Sequence, residues 1–136
     1  MGAAEFQPFH EPVLVFIVED SDMYALMLEH KLKRSGNFKF KKFTSGEQCV
    51  EHIHENPQLI ILDYNLTGMN GLETLRIIKQ VNFSIPVVVI SGQQDLKVAI
   101  DMFGAGAFEY IHKDSDTVHE LYKTLDRISL SRPLRS

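Results

Sequence analysis

The chain has 136 residues, of which 44% are hydrophobic, and its formal net charge is −4. This length suits one compact domain with a real core, and the negative charge argues against a direct nucleic-acid binder. No apolar run approaches the ~18 to 20 residues of a membrane helix, and the single cysteine, Cys49, excludes an intrachain disulfide. We therefore expect a cytoplasmic protein with neither nucleic acid nor membrane as a direct partner.

The first predicted elements follow a leader. Residues 1–12 have no useful periodicity and are interpreted as a flexible or cloning-derived leader. The run VLVFIV (13–18) is continuous, β-branched and too short for a helix, which predicts a strand buried on both faces. Apolar residues then recur at helical spacing from Tyr24 to Leu32, and Gly36 predicts the end of that helix.

The middle of the chain repeats this alternation. FKFKKF, beginning at Phe38, alternates and predicts a second, less buried strand, after which Ser45 opens a short helix. LIIL (59–62) predicts a third buried strand. Residues 71–80 are predicted to be helical, with an apolar stripe along one face.

The last part of the chain adds two more strand and helix pairs. VVVI ends at Ser91, and Leu96, Ala99, Ile100 and Phe103 indicate the next helix. FEYI (108–111) is the fifth predicted strand, followed by an amphipathic helix to about Ile128. Five strands alternating with five helices predict an α/β fold with a parallel sheet covered on both faces.

Polar residues stand at four predicted strand ends. Glu19 and Asp20 follow the first strand, Asp63 the third, Ser91 the fourth and Lys113 the fifth. In a sheet of this kind the carboxyl ends of the strands meet along one rim, near the switch in strand order. We therefore expect these side chains to share one site.

The residue types suit phosphoryl chemistry. Three neighbouring carboxylates repel, and a hard divalent ion with oxygen ligands, such as Mg²⁺, is their natural neutraliser. Asp63 could attack a phosphoryl group, while Lys113 pairs with a phosphate oxygen and Ser91 hydrogen-bonds another. Each residue alone has a plainer explanation, such as a helix cap, a turn or a surface lysine, but four such coincidences on one rim favour a shared site.

These segments together resemble the receiver domain of two-component response regulators, of the single-domain chemotaxis-regulator type. The matching features are the acidic pair at Glu19, LIILDYNLTGMNGLETLRIIK around Asp63, VVVISG at Ser91 and GAFEYIHK ending at Lys113. The resemblance implies a flavodoxin-like (βα)5 doubly wound parallel sheet, with strand order 2-1-3-4-5. It also implies that residues 13–130 form the receiver domain and that 131–136 are a short tail.

The resemblance implies a role for each matching position. Asp63 corresponds to the phosphoacceptor. The Mg²⁺ (or Mn²⁺) ligands would be Asp20, Asp63 and the backbone carbonyl of Asn65, with Glu19 acting through a metal-bound water.

The remaining positions concern the phosphate and the switch. Ser91 and Lys113 would contact the phosphoryl oxygens, and Tyr110 would be the aromatic that turns inward when the Ser91 hydroxyl moves to the phosphate. One departure concerns Asp114, because the family usually has proline there, commonly after a cis peptide bond. A non-proline cis bond costs about 3 kcal/mol, so the sequence leaves open whether Lys113–Asp114 is trans or cis.

The implied function is a phosphoaccepting switch that turns over no external substrate. The implied partners are a sensor histidine kinase or a histidine phosphotransfer protein, and a downstream protein or fused output domain that recognises the surface of the fourth helix, fifth strand and fifth helix. A monomer or a weak phosphorylation-dependent dimer is expected. The alternative is a receiver-like binding module that works without phosphorylation. An aspartyl phosphatase of the haloacid-dehalogenase type is disfavoured, since Asn65 stands where a second acid would be needed.

Overall fold

Five strands and five helices alternate along the chain in a computed structural model that describes residues 12–131, with side chains to residue 128. Two short 3₁₀ turns follow α1 and α2. Nearly all of the expected leader and of the expected tail lie outside the described residues, and Ser131, the first residue of the expected tail, belongs to the last helix. The elements are β1 Val13–Val18, α1 Asp22–Leu32, β2 Phe38–Phe43, α2 Gly46–Glu51, β3 Leu59–Asp63, α3 Gly71–Val81, β4 Val87–Ser91, α4 Leu96–Gly104, β5 Glu109–His112 and α5 Thr117–Ser131.

The strands form one parallel sheet in the order β2-β1-β3-β4-β5. This is the predicted 2-1-3-4-5 order, and the flavodoxin-like fold is confirmed. The chain winds outward from β1 in one direction and from β3 in the other. A crevice therefore opens at the carboxyl ends of these two neighbouring strands, where Glu19 and Asp63 lie.

The three inner strands form the core of the sheet. All five residues of both β3 and β4 are buried, which explains why these strands read as continuous apolar runs rather than alternating ones. Helices α2, α3 and α4 pack on one face and α1 and α5 on the other, through buried residues such as Leu75, Met102, Leu28 and Leu121. The rim at the strand ends is thus carried by a rigid sheet.

Helix α4 differs most from the prediction. The apolar residues that indicated this helix are largely exposed: Leu96 by 77%, Ile100 by 60% and Phe103 by 47%. The core contacts come instead from Val98 and Met102. Positions two residues apart on a helix lie on nearly opposite sides, so this offset turns the most apolar stripe of α4 away from the core.

Two smaller boundaries also differ. Strand β5 runs from Glu109 to His112, one residue later than predicted, and α3 extends to Val81. Among the described residues, no helix has both the length and the apolar character needed to cross a membrane.

Gly71 fixes the return of the chain after the third strand. A Cβ atom at this position would lie 2.6 Å from the Tyr64 Cα and 3.0 Å from the Asp63 carbonyl oxygen. Backbone atoms cannot move aside without straining the fold. Gly71→Ala is therefore expected to lower the free energy of unfolding by about 2 kcal/mol, as measured by urea unfolding. Gly104→Ala is the matched control, because a Cβ there meets nothing within 4 Å. Equal unfolding midpoints for the two variants would contradict this close approach.

Candidate functional site

The predicted site residues lie together at the carboxyl edge of the sheet. Asp63 and Ser91 are the last residues of β3 and β4, while Glu19 and Lys113 directly follow β1 and β5. Glu19 and Asp63 are each only 2% exposed and Ser91 is fully buried, whereas Asp20 is exposed. Buried acids at this position require partners, because an uncompensated charge is costly away from water.

Lys113 is the partner of both buried acids. Its Nζ lies 2.8 Å from Glu19 Oε1 and 3.4 Å from Asp63 Oδ2. The ammonium also stands over the Tyr24 ring, 4.3 Å from its centroid, in a cation–π arrangement. The sequence pattern assigns Tyr24 only to the apolar stripe of α1, because no local pattern shows that this ring faces the lysine.

Backbone N–H groups hold the other carboxylate oxygens. Glu19 Oε2 accepts a hydrogen bond from the Ser21 N–H at 3.0 Å, and Asp63 Oδ1 accepts one from the Asn65 N–H at 3.2 Å. The cap of α1 is the Ser21 hydroxyl, which accepts from the Tyr24 N–H at 3.2 Å. Neither Glu19 nor Asp20 is therefore consumed as the side-chain cap of this helix.

Burial dominates the electrostatics of the two acids. Burial raises the pKa of Asp63 and of Glu19 above their usual values, and the hydrogen bonds and charge supplied by Lys113 only partly oppose it. Burial alone would lower the pKa of Lys113, but the Glu19 hydrogen bond and the negative charge of Asp63 outweigh it and raise that pKa. Lys113 therefore compensates only part of the negative charge that the two buried acids carry when ionised.

The acids fit a divalent metal ion. Glu19, Asp20 and Asp63 each offer one carboxylate oxygen, and these atoms lie within 4.8 Å of one another. An all-oxygen donor set with an exposed member suits Mg²⁺, which keeps several waters. The role of the Asn65 carbonyl as a further ligand stays a prediction.

Ser91 and Tyr110 meet at the same turn. The Ser91 hydroxyl accepts a hydrogen bond from the Gln93 N–H at 3.1 Å, and the Tyr110 hydroxyl donates to the Gln93 carbonyl oxygen at 2.9 Å. Tyr110 is half-buried and packs against the core. A movement of the Ser91 hydroxyl would thus disturb the residue that holds the Tyr110 ring.

The Lys113–Asp114 peptide is trans, since no cis bond occurs in the described part of the chain. The Asp114 N–H, which proline would lack, donates to the hydroxyl oxygen of Thr117 at 2.8 Å. Thr117 is buried, and sequence reasoning did not single it out. Thr117 accepts this hydrogen bond because of the geometry of the turn, and no sequence motif predicts that geometry.

These features define a flavodoxin-like protein with an acidic site at the switch in strand order. The response regulator receiver domain family matches residues 15–126. The protein NtrC of Klebsiella pneumoniae, described as a DNA-binding transcriptional regulator, is 30% identical over 115 residues, which cover 84% of this chain and 24% of that protein. The chain thus spans about a quarter of the length of this relative.

Solved structures of response regulators have the same fold as this chain. A putative response regulator from Chloroflexus aurantiacus has a TM-score of 0.79 and 30% identity, covering 90% of this chain and 100% of that one. A two-component response regulator of the LuxR family from Aurantimonas has a TM-score of 0.82 at 22% identity, covering 90% of this chain and 88% of that one, and shows the fold alone. This chain belongs to the receiver domains of two-component response regulators.

Removal of the exposed acid should weaken metal binding. Millimolar MgCl₂ is expected to raise the thermal unfolding midpoint of the wild type, because a ligand that binds only the native state stabilises it, by about 2.7 kcal/mol at a hundredfold excess over Kd. Asp20→Asn should lose most of this gain, while Asp22→Asn, which lies outside the cluster, should retain it. An undiminished Mg²⁺ response in Asp20→Asn would rule out Asp20 as a ligand.

Proposed function

We propose that this chain is a phosphoaccepting switch, in which Asp63 takes a phosphoryl group from the phosphohistidine of a sensor kinase or phosphotransfer protein in a Mg²⁺-dependent reaction. The observation that carries the proposal is the position of Asp63. It is buried at a strand end, where the carboxylates of Glu19 and Asp20 and the Lys113 ammonium all lie close to it. Membership of the receiver family supports the same assignment.

The chemistry follows from this arrangement. One Asp63 carboxylate oxygen forms a bond to phosphorus while the phosphorus–nitrogen bond of the donor breaks, and the donor imidazole leaves. Such a transfer depends mainly on in-line positioning and charge neutralisation. A bound Mg²⁺ would neutralise part of the phosphoryl charge, and Glu19, Asp20 and Asp63 would hold it. Lys113 is within reach of the second Asp63 oxygen and would pair with a phosphoryl oxygen.

The signal would then travel through Ser91. Its hydroxyl would leave the Gln93 N–H for a phosphoryl oxygen, which changes the turn that carries the Tyr110 hydrogen bond. The surface of α4, β5 and α5 would change in turn. The exposed apolar stripe of α4 supports this face as the contact surface for a downstream protein or a fused output domain.

The domain would contribute chemistry only to its own modification and hydrolysis, without turnover of an external substrate. Asn65 stands where an aspartyl phosphatase would need a second catalytic acid, and this supports a slow switch. We propose a cytoplasmic protein that is monomeric or dimerises weakly on phosphorylation.

The decisive experiment is intact-mass analysis after incubation with acetyl phosphate and MgCl₂. The wild type should gain the mass of one phosphoryl group, and Asp63→Asn, which cannot form the acyl phosphate, should not. Absence of the adduct on the wild type would overturn the proposal in favour of a binding module that works without phosphorylation. An adduct on Asp63→Asn would move the modification to another residue.

A further inference from the structure

The turn after β5 is organised around the Thr117 hydroxyl. The Asp114 N–H donates to Thr117 Oγ1 at 2.8 Å, and this hydroxyl lies 3.1 Å from the His112 carbonyl oxygen and 2.9 Å from that of Asp114. A single buried hydroxyl therefore holds polar groups on both sides of Lys113. The Asp114 side chain is also engaged, since its Oδ1 accepts from the Asp116 N–H at 2.8 Å.

The His112 ring links this turn to the neighbouring one. Its Nδ1 lies 3.2 Å from Asp114 Oδ2, and its Nε2 lies 3.2 Å from the carbonyl oxygen of Gly92. Both partners can only accept a hydrogen bond, whereas a neutral imidazole carries one N–H and an imidazolium carries two. The two contacts can thus be hydrogen bonds at the same time only when His112 is charged.

The two turns that His112 joins hold the residues expected to contact phosphate. Gly92 directly follows Ser91, and His112 is the register partner of Ser91 across β4 and β5. The Lys113 N–H donates to the Ser91 carbonyl oxygen at 2.7 Å. The His112 ring therefore adds a side-chain tie to the backbone pairing at the point where both strands end.

We propose that His112 and Asp114 are positioning residues for phosphorylation of Asp63. The His112 ring, held between Asp114 and Gly92, fixes the Lys113 turn against the Ser91 turn and keeps the Lys113 ammonium directed at Glu19 and Asp63. This inference rests on the proposed function, because it assigns the two residues a part in that reaction. It also explains how the site works with Asp114 in place of proline.

Several acidic residues lie around the His112 imidazole. His112 and Asp114 line a cleft of about 280 Å³ together with the acids Glu109, Asp116 and Glu120. Glu109 pairs with Arg127 across this region, while the side chain of Asp116 makes no contact with the His112 ring within hydrogen-bonding distance. Asp116 is therefore the natural control for a change of charge beside Asp114.

Three variants separate positioning from charge. Asp114→Ala removes the contact with the ring. Asp114→Asn keeps an acceptor for the Asp116 N–H and offers an amide N–H to the unprotonated Nδ1, so a neutral His112 can keep both contacts. Asp116→Asn makes the same charge change without altering the bridge. Unfolding midpoints and circular dichroism establish that each variant is folded.

The first measurement is the rate of Asp63 phosphorylation by acetyl phosphate and MgCl₂ between about pH 5.5 and 8, where histidine titrates. Asp114→Ala should be slowed about tenfold relative to wild type at low pH, the lower end of the loss found when a residue that orients a site group is removed, while Asp116→Asn stays at the wild-type rate. The ratio of the Asp114→Asn rate to the wild-type rate should rise with pH, because only the wild type needs a charged His112 ring to keep both ring contacts. Equal rates for Asp114→Ala and Asp116→Asn, or a ratio independent of pH, would overturn the inference.

The second measurement does not depend on phosphorylation. Nitrogen-detected NMR of the unmodified protein reports the protonation of the His112 ring and the resonance of the Lys113 ammonium. Asp114→Ala should shift the Lys113 signal, and Asp116→Asn should not. If the wild type accepts no phosphoryl group, the proposed function fails, while this spectrum still shows whether Asp114 holds Lys113; an unmoved Lys113 signal in Asp114→Ala overturns the positioning role.

Discussion

Replacement of Lys113 by methionine is expected to slow the phosphorylation of Asp63 about a hundredfold, the effect typical of removing one preorganised charge-stabilising donor. Methionine has a similar length and can pack beside Tyr24, but it offers no charge to Asp63 or to an incoming phosphoryl oxygen. The rate of adduct formation at saturating MgCl₂ and fixed acetyl phosphate measures the effect. A rate within twofold of wild type would exclude Lys113 from the reaction.

The same substitution should destabilise the protein in a pH-dependent way. Glu19 is 2% exposed and would lose its closest cation, and breaking a buried pair from one side costs about 3 kcal/mol. Burial already raises the pKa of Glu19 in the folded protein, and loss of Lys113 would raise it further. The penalty is therefore present above that raised pKa and fades as the pH falls through it, since a protonated Glu19 needs no cation.

Urea unfolding at a series of pH values measures this penalty. Lys123→Met is the control, because Lys123 is exposed and its pair with Glu120, at 3.5 Å, is worth little. The double variant Lys113→Met with Glu19→Gln should recover most of the stability at neutral pH but none of the phosphorylation rate. If Lys113→Met unfolds like Lys123→Met at every pH, the buried pair does not carry the expected energy.

Sequence patterns predicted the parts of the site that depend on strand order. Apolar runs marked the buried strands, and a parallel sheet places all carboxyl ends on one rim, so Asp63, Ser91 and Lys113 could be brought together before any distance was known. The paired acids at Glu19 followed from the same rule. Local patterns are enough to predict this part of the site, because a residue at the end of any strand of a parallel sheet lies at the same edge.

The remaining features depend on side-chain packing, which periodicity does not specify. The apolar residues from which α4 was predicted lie on its exposed side. The core contacts of this helix come from Val98 and Met102 instead. Tyr24 and Lys113 are far apart in the chain, so no local sequence pattern predicts their contact. The trans turn at Asp114 depends on a buried hydroxyl, that of Thr117, three residues later.

Replacement of Asp63 by asparagine is expected to abolish the phosphoacceptor and to stabilise the fold by about 1 kcal/mol at neutral pH, a gain typical of relieving a strained functional site. Asparagine keeps the shape of the side chain and an oxygen that can accept the Asn65 N–H. Lys113 keeps its shorter contact, which is with Glu19 at 2.8 Å. What disappears is a buried negative charge.

The stability gained in Asp63→Asn should depend on pH, because the pKa of Asp63 is raised in the folded protein. Burial raises the folded-state pKa of Asp63 above its usual value of 3.8, so the native protein binds this proton more tightly than the unfolded chain. Stability of the wild type therefore falls as the pH rises from the unfolded pKa through the raised folded pKa. Asp63→Asn lacks this loss, and the two proteins should converge at lower pH, where Asp63 is protonated in both states.

Urea unfolding of wild type and Asp63→Asn across this pH range measures the gain, with Asp101→Asn as the control at a partly exposed acid that pairs with Lys97 on the helix surface. The control should show no gain at neutral pH. If Asp63→Asn is instead less stable than wild type there, the attraction of Lys113 exceeds the cost of burial and the site is not strained. If it is more stable, the fold maintains a buried carboxylate at the strand end at the expense of its own stability, and a Mg²⁺ ion bound by the acids would offset part of that negative charge.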